Sequence, residues 1–129
     1  LKDNKFIISD RGVSTSLCYQ TLSGKLSLNE LTEMVGNSLA LEHAPEHLII
    51  IKVDPKIALS RLEKRTGKKD DAIFEKLDFQ TKAAKLFYSE EFKTLFTAHG
   101  AKIHYLPGGD SIDIMKANSI ALLKQILTK

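Results

Sequence analysis

The chain has 129 residues, of which 43% are hydrophobic, and a net charge of +3. It is long enough for one domain with its own core and too apolar for a disordered chain, and no apolar run approaches the ~20 residues of a membrane-spanning helix. The single cysteine, Cys18, excludes a disulfide scaffold and a multi-cysteine zinc site and fits a reducing, cytoplasmic compartment. The mildly basic charge fits a phosphate-bearing ligand and gives little support to nucleic-acid binding.

Apolar periodicity predicts elements in the order strand, helix, helix, strand, helix, helix, strand, helix. In chain order they cover residues 6–9, 13–22, 27–41, 48–53, 55–66, 73–98, 101–106 and a final helix after residue 110. Strands that alternate with helices indicate an α/β fold, a parallel sheet with helices on both faces. A sheet of three strands is narrow and has exposed edges, which indicates that N-terminal strands are absent from this chain.

Polar residues mark where several of these helices begin. Residues 27–30, SLNE, form a capping box in which the serine and the glutamate each bond the other's backbone amide. Asp54 and Pro55 suit the cap and the first position of a helix, and Asp110 is predicted to cap the last helix. The stretch at 48–53 is nearly all apolar, which is typical of a parallel strand covered on both faces.

The richest candidate for chemistry is the segment from Asp10 to Gln20, which follows the first predicted strand. Ligands of open α/β sheets bind beyond the carboxyl ends of the strands. Arg11 offers a planar fork for phosphate or carboxylate, Tyr19 a stacking face, and Gln20 an amide that can bind a base edge. The alternative is structural: Asp10 caps the following helix and Arg11 forms a surface ion pair.

A second candidate is a basic cluster at the end of the helix predicted over 55–66 and in the charged segment that follows it. Its members are Arg61, Lys64, Arg65, Lys68 and Lys69. Arg61 and Arg65 are four residues apart on a helix and therefore project from one face. Two arginines before a charged, mobile loop can clamp a polyphosphate and neutralise charge during phosphoryl transfer. The alternative is a solvated helix face.

Three other patterns are interpreted as structural. Residues 43–47, HAPEH, match the H-x-x-E-H zinc spacing, but that motif needs a single helix and Pro45 interrupts it at a helix-to-strand boundary. Cys18 has no evident base partner and is predicted to pack between helices. The aromatic residues of the long helix are predicted to form core: Phe87, Tyr88, Phe92 and Phe96.

Three stretches together resemble thymidylate kinase, a nucleoside monophosphate kinase family of the phosphate-loop class. Residues 7–20, IISDRGVSTSLCYQ, resemble its D-R-Y/H-x-x-S-S/T-x-A-Y-Q signature in register. Residues 45–55 resemble its P-D-L-x-I/L-x-L-x-V/L-D-P strand. Residues 58–65 resemble A-L-x-R-x-x-x-R at the entry to its lid. The first motif is the most specific of the three.

The resemblance implies a role for each matching residue of the first motif. Arg11 would hold the phosphate of dTMP, and Asp10 would lie beside the reacting phosphates and a bound Mg²⁺ without being a direct ligand. Ser16, Tyr19 and Gln20 would face the thymine and the deoxyribose. Tyr19 would also crowd the place of a ribose 2′-hydroxyl, which favours a deoxynucleotide.

On the ATP side, the resemblance implies Arg61 and Arg65. Arg65 would join Asp10 and Arg11 as the catalytic set. Mg²⁺ would be the cofactor, and ATP the co-substrate of dTMP. The family also implies a homodimer, with the helix at 27–41 as a contact.

The sequence departs from the family pattern at two places. Gly12 replaces the usual aromatic residue or histidine, which removes a side chain from the acceptor pocket. Residues 71–75, DAIFE, lack the arginine of the usual lid pattern. Lys68 or Lys69 is the expected substitute for that arginine.

The motif register implies that residues 1–129 are the C-terminal part of a single kinase domain of roughly 210 residues, with the acceptor-site segment at 5–41 and the lid at about 61–75. The intact protein would phosphorylate dTMP to dTDP. The chain contains no G-x-x-x-x-G-K-S/T loop, so alone it is expected to be inactive. Two alternatives stay open: a non-catalytic nucleotide-binding or regulatory protein that has lost the phosphate-loop half, and a kinase for another deoxynucleoside monophosphate.

Overall fold

The computed structural model of the chain describes residues 6–66 and 77–128. The elements are α1 (Val13–Ser23), α2 (Leu28–Glu33), α3 (Val35–Glu42), β1 (His47–Lys52), α4 (Pro55–Thr66), α5 (Leu77–Phe87), α6 (Glu90–Ala98), β2 (Lys102–Pro107) and α7 (Ile112–Leu127). The chain divides into two compact units, Leu1–His43 and Ala44–Lys129. None of these helices is long and apolar enough to cross a membrane.

The first unit consists of three short helices that pack on one another. The helix predicted over 13–22 is confirmed, since α1 covers it and ends at Gly24. The Gly24 amide bonds the Gln20 carbonyl, and a Cβ at Gly24 would lie 2.8 Å from that oxygen, so the position requires glycine. The buried residues of this unit come from all three helices: Ser14, Leu17, Cys18, Leu28, Leu31 and Leu41.

The predicted capping box is confirmed. Ser27 Oγ accepts a hydrogen bond from the Glu30 amide at 3.3 Å, and a Glu30 carboxylate oxygen accepts one from the Ser27 amide at 2.7 Å. Hydrogen bonds from the Ser27 hydroxyl and amide lower the pKa of the Glu30 carboxyl. The box therefore fixes the start of α2 at Leu28.

The single helix predicted over 27–41 is interrupted. Met34, with a ψ of 130°, is extended and separates α2 from α3. The Asn37 side-chain amide donates to the Leu31 carbonyl at 2.8 Å. The Met34 amide also donates to this carbonyl, at 3.3 Å, so a backbone amide and the Asn37 side chain together satisfy it where α2 ends.

The strand predicted at residues 6–9 is wrong. The segment is not part of a strand, and the side chains of Phe6, Ile7 and Ile8 are exposed. A strand needs a neighbour to satisfy its backbone groups, and no strand in the described ranges pairs with this segment. Apolar composition alone does not supply that neighbour.

The second unit is built on two parallel strands. β1 and β2 pair in register from His47 opposite Lys102 to Lys52 opposite Pro107. The strands predicted at 48–53 and 101–106 are confirmed within one residue. α6 and α7 pack against β2, and α5 packs against α4 and α6. The helix-rich unit with a small parallel sheet agrees with the predicted fold class in part, because the sheet described here has two strands and not three.

The aromatic core is confirmed where it is most buried. Phe92 and Phe96 are fully buried, with ring centroids 4.9 Å apart, whereas Phe87 and Tyr88 are half-buried. α6 therefore contributes the two most buried aromatic side chains of this unit.

The long helix predicted over 73–98 is divided into α5 and α6, and its first residues, 73–76, lie outside the described ranges. Ser89 marks the division. Its Oγ accepts a hydrogen bond from the Phe92 amide at 3.1 Å, which is the geometry of an N-cap.

One of the two predicted aspartate caps is correct. Asp54 Oδ1 accepts a hydrogen bond from the Lys56 amide at 2.7 Å at the start of α4. The cap of α7 is Ser111 and not Asp110, since Ser111 Oγ accepts from the Ile114 amide at 3.4 Å. Ser111 is the extended residue directly before the helix, so Asp110 lies one position too early.

The expectation that β1 is covered on both faces is also corrected. Ile50 is buried, but Ile49 and Ile51, whose side chains point to the opposite face, are exposed. The helices described here therefore cover one face of this strand and leave the other open.

The loop after β2 lies against the end of β1. The Gly108 amide bonds the Lys52 carbonyl at 2.7 Å, and a Cβ at Gly108 would lie 2.5 Å from Cγ2 of Ile51. The lack of a side chain at Gly108 is what allows this approach.

We expect Gly108→Ala to lower the free energy of unfolding by about 1–3 kcal/mol, because the added methyl forces Ile51 or the strand end to shift. Gly109→Ala is the matched control, since a Cβ there meets no atom within 4 Å. Its expected effect is within about 0.5 kcal/mol. Urea unfolding followed by tyrosine fluorescence measures both, and equal midpoints for the two variants would contradict this packing.

Candidate functional site

The segment before α1 forms a short polar loop. Ser9 Oγ donates a hydrogen bond to the Arg11 carbonyl at 2.8 Å, and both Asp10 and Arg11 are exposed. α1 begins after Gly12, and no side chain caps it. The structural alternative in which Asp10 caps this helix is therefore wrong, and the Asp10 carboxylate is left facing solvent.

Arg11 has a strained backbone. Its φ of 69° lies in the left-handed region, which costs a residue with a Cβ about 1–2 kcal/mol. Glycine would adopt this conformation without that cost. Strain held at a polar, exposed loop is typical of functional positions. Stability alone would therefore favour glycine at this position, but the residue is an arginine.

α1 has two chemically distinct faces. One face is buried and consists of residues three or four positions apart: Ser14, Leu17 and Cys18. The predicted substrate residues follow the same spacing on the opposite face, where Ser16 and Gln20 are exposed and Tyr19 is half-buried. The structure therefore brings Ser16, Tyr19 and Gln20 together on one polar face, which starts one turn after Arg11.

Cys18 belongs to the buried face of α1. Burial raises the pKa of its thiol to about 12. At neutral pH it is a thiol and not a thiolate, and only the thiolate is a nucleophile. The structure supports the predicted packing role of this cysteine.

Arg61 contacts the loop after β2. One terminal nitrogen donates to the Gly108 carbonyl at 2.6 Å, and the other donates to the carbonyls of Gly109 and Asp110 at 2.9 and 3.0 Å. The guanidinium group of Arg61 thus donates hydrogen bonds to three backbone carbonyls. In this structure Arg61 shapes the loop at the carboxyl end of β2.

Arg65 lies one turn beyond Arg61 on α4, and its side chain is exposed. Both arginines belong to the second unit, whereas the loop and face described for α1 belong to the first. Lys68 and Lys69, proposed for the lid, lie outside the residues that the structure describes.

The carboxyl end of β1 holds a cluster that the sequence patterns did not single out. The Lys52 ammonium lies 4.8 Å from the centroid of the Tyr88 ring and 5.7 Å from that of Tyr105. Burial raises the pKa of Tyr88, and a hydrogen bond with the Val53 backbone partly opposes this. The cluster ties the α5–α6 corner to the residues just before Asp54. Knowledge of the parallel register between β1 and β2 would have helped to predict this cluster from the sequence.

The loop also fits the magnesium that the resemblance implies. Mg²⁺ keeps several waters in proteins and takes one or two carboxylates together with substrate phosphates. Asp10 offers an exposed carboxylate that is not used as a helix cap. An exposed carboxylate of this kind is chemically compatible with a hydrated Mg²⁺.

Comparisons with known proteins agree with the motifs. The family profile described as thymidylate kinase matches residues 1–106. A thymidylate kinase of Aster yellows witches'-broom phytoplasma is 28% identical over 79% of this chain and 51% of its own length. Those of Symbiobacterium thermophilum and Pediococcus pentosaceus are 26% and 30% identical over 100% and 98% of this chain, and 56% and 58% of their own. The chain thus spans a little over half the length of these relatives. No solved structure matches significantly.

We expect Arg61→Ala to lower the free energy of unfolding by about 1 kcal/mol, because three carbonyl acceptors lose a charged donor at a partly exposed site. Lys64→Ala, an exposed change on the same helix, is the control and is expected to stay within about 0.5 kcal/mol. Urea unfolding gives the stability of each. Amide exchange at Gly109 and Asp110 should quicken in Arg61→Ala alone, and unchanged exchange there would show that Arg61 does not hold the loop.

Proposed function

Because the chain belongs to the thymidylate kinase family, we propose that the whole protein transfers the γ-phosphate of ATP to dTMP, with Mg²⁺ as cofactor. The observation that carries the proposal is the surface formed by Arg11 and the polar face of α1. It combines a phosphate-binding fork with groups suited to a base and a sugar. This chain supplies the acceptor side of the reaction and part of the ATP side.

Arg11 binds the phosphate of dTMP in this proposal. Its guanidinium can engage two phosphate oxygens at once, which fixes the orientation of the acceptor. The exposed side chain and the strained backbone support this role. Orientation matters because phosphoryl transfer depends on placing the acceptor oxygen in line with the γ-phosphate.

Ser16, Tyr19 and Gln20 bind the nucleoside. The Gln20 amide has both a donor and an acceptor for the edge of thymine, and the Tyr19 ring offers a flat surface beside the sugar. Their common face on α1 supports this role. A helix is a rigid support, so the three groups keep a fixed spacing along the ligand.

Arg61 and Arg65 serve the ATP side, with Lys68 and Lys69. Since the Arg61 fork is bound to the loop after β2, we assign it the shaping of that loop, and we assign charge neutralisation to the exposed Arg65. Positive charge near the transferring phosphoryl group lowers the barrier because negative charge is spread over its oxygens. When bound, Mg²⁺ adds further neutralisation of the phosphates beside Asp10.

We propose a second copy of the chain as partner, with α2 and α3 as the contact. Along these helices Met34, Val35 and Leu39 are exposed, and Val35 is 84% exposed. Apolar side chains that face solvent in a row favour association through burial. The homodimer is supported by this surface.

This chain by itself should show no turnover of ATP with dTMP, because the amides and lysine of a phosphate loop are lacking from residues 1–129. A coupled assay of ADP release, with a complete relative as the positive control, measures this. Robust dTMP-dependent release of ADP by the chain alone would contradict the division of labour proposed above.

dTMP binding to this chain should depend on the Arg11 side chain. We expect Arg11→Ala and Arg11→Gly each to weaken dTMP binding at least tenfold, which equals about 1.4 kcal/mol, in isothermal titration. Arg11→Gly also removes the backbone strain, so it should be as stable as the unmodified chain or more so. Lys64→Ala serves as the control for loss of a positive charge. Unchanged affinity in both Arg11 variants would refute this site.

The preference of the site for thymine is tested by the same titration with dUMP, dCMP and dGMP. Tightest binding of dTMP supports the proposed acceptor. Tighter binding of another deoxynucleotide would assign the kinase to that base.

A further inference from the structure

Lys52 lies at the carboxyl end of the sheet in the second unit. It is the last residue of β1, and the register places it opposite Pro107, the last residue of β2. The Lys52 carbonyl accepts a hydrogen bond from the Gly108 amide at 2.7 Å, so the lysine is joined to the loop after β2. Ligands of open α/β sheets bind beyond the carboxyl ends of the strands. β1 therefore ends with a lysine at the side of the sheet where such ligands bind.

Two tyrosine rings hold the ammonium group of Lys52. Its Nζ atom lies 4.8 Å from the centroid of the Tyr88 ring and 5.7 Å from that of Tyr105. The two rings contact each other edge to face, with centroids 6.1 Å apart. A cation is attracted to the face of an aromatic ring, so these contacts limit the positions that a long, flexible side chain adopts. A side chain that is already positioned loses less entropy when it binds a ligand.

The rings leave the positive charge of Lys52 without a counter-ion. Among the residues that the structure describes, no carboxylate forms an ion pair with this ammonium group. The faces of the rings supply no oxygen acceptor, and an ammonium group has three N–H donors. The Lys52 side chain is exposed, so these donors are open to a ligand from solvent. Lys52 is thus a positioned cation that can donate hydrogen bonds to an anion.

Arg61, which contacts the same loop, has its donors engaged. Its guanidinium group donates hydrogen bonds to the carbonyls of Gly108, Gly109 and Asp110. A phosphate that took the place of these carbonyls would leave them without their donor, at a cost in free energy. Positive charge for a phosphate near this loop therefore comes at lower cost from Lys52, whose ammonium group bonds no protein oxygen among the described residues.

We propose that Lys52 binds a phosphate group of ATP and that the rings of Tyr88 and Tyr105 position its ammonium group. This inference rests on the proposed function, which assigns the loop after β2 to the ATP side. An ammonium group is a compact charge with rotatable donors, so it binds phosphate oxygens without the planar match that an arginine needs. Positive charge beside the phosphates also stabilises the negative charge on their oxygens during phosphoryl transfer.

ATP is added to the isotope-labelled chain while its amide NMR spectra are recorded. We expect the signals of Lys52, Val53 and Gly108 to shift. Lys52→Gln should raise the Kd of ATP about three- to fivefold, because one exposed ion pair is lost. Lys102→Gln, at an exposed lysine that begins β2, is the matched control. Five residues of strand separate it from the end of the sheet, about 17 Å, which exceeds the Debye length of about 8 Å at physiological salt, so its Kd should be unchanged.

Two further ligands separate a contact with phosphate from a contact with the base. Inorganic triphosphate should lose affinity in Lys52→Gln by the same factor as ATP. Adenosine has no phosphate, so its affinity should be equal in Lys52→Gln and the unmodified chain. Lys52→Arg keeps the charge and can still lie over the rings, and it should restore the Kd of ATP to within about twofold.

The role of the nearer ring is tested by a double-mutant cycle. Tyr88→Leu should weaken ATP binding, and Tyr88→Phe, which keeps the ring, should not. Combined with Lys52→Gln, Tyr88→Leu should cause no further loss, because the ring acts through the ammonium group. Additive losses would show that the ring does not position Lys52. Circular dichroism and thermal unfolding of each variant confirm that it folds.

Equal affinity for ATP in Lys52→Gln and the unmodified chain would overturn the proposal. So would a loss of the same size in Lys102→Gln, or unshifted signals of Lys52, Val53 and Gly108 at the highest ATP concentration. The titration of dTMP against the Arg11 variants is a separate measurement on the first unit. Binding of ATP that depends on Lys52, in a chain that does not bind dTMP, would support the phosphate contact and contradict the proposed acceptor.

Discussion

The parallel pairing of β1 with β2 is the constraint on which the second unit depends. It brings the ends of both strands to one edge, where the Gly108 amide bonds the Lys52 carbonyl. Asp54 starts α4 at that edge, and Arg61 on α4 returns to bind the carbonyls of the loop after β2. β1, α4 and the loop after β2 thus stabilise one another through these hydrogen bonds. Under the proposed function this edge serves the ATP side, and groups that are already ordered reduce the entropy cost of binding.

In the first unit, α1 has one buried face and one polar face. The buried face contributes to the packing of the three helices, and the opposite face carries Ser16, Tyr19 and Gln20, which we propose bind the nucleoside. Arg11 stands apart from both, because its left-handed backbone lowers stability while its side chain offers a planar set of hydrogen-bond donors. We propose that this side chain binds the phosphate of dTMP.

Local signals in the sequence predicted most elements but not their interruptions or their surroundings. The capping box at Ser27 and the cap at Asp54 depend on neighbouring residues and were predicted correctly. The break at Met34 depends on the Asn37 side chain, and the unpaired state of residues 6–9 depends on a missing neighbour. Tertiary contacts decide such features.

The same distinction applies to the candidate site. Helical spacing was enough to place Ser16, Tyr19 and Gln20 on one face of α1. It could not show that Arg61 binds the loop 47 to 49 residues later in the chain, because that contact depends on strand register.

The most direct test of the proposed dTMP site is to record amide NMR spectra of the isotope-labelled chain and see which signals shift when dTMP is added. We expect shifts at Asp10 and Arg11 and along the polar face of α1. Shifts confined to the second unit, or none at saturating dTMP, would contradict it.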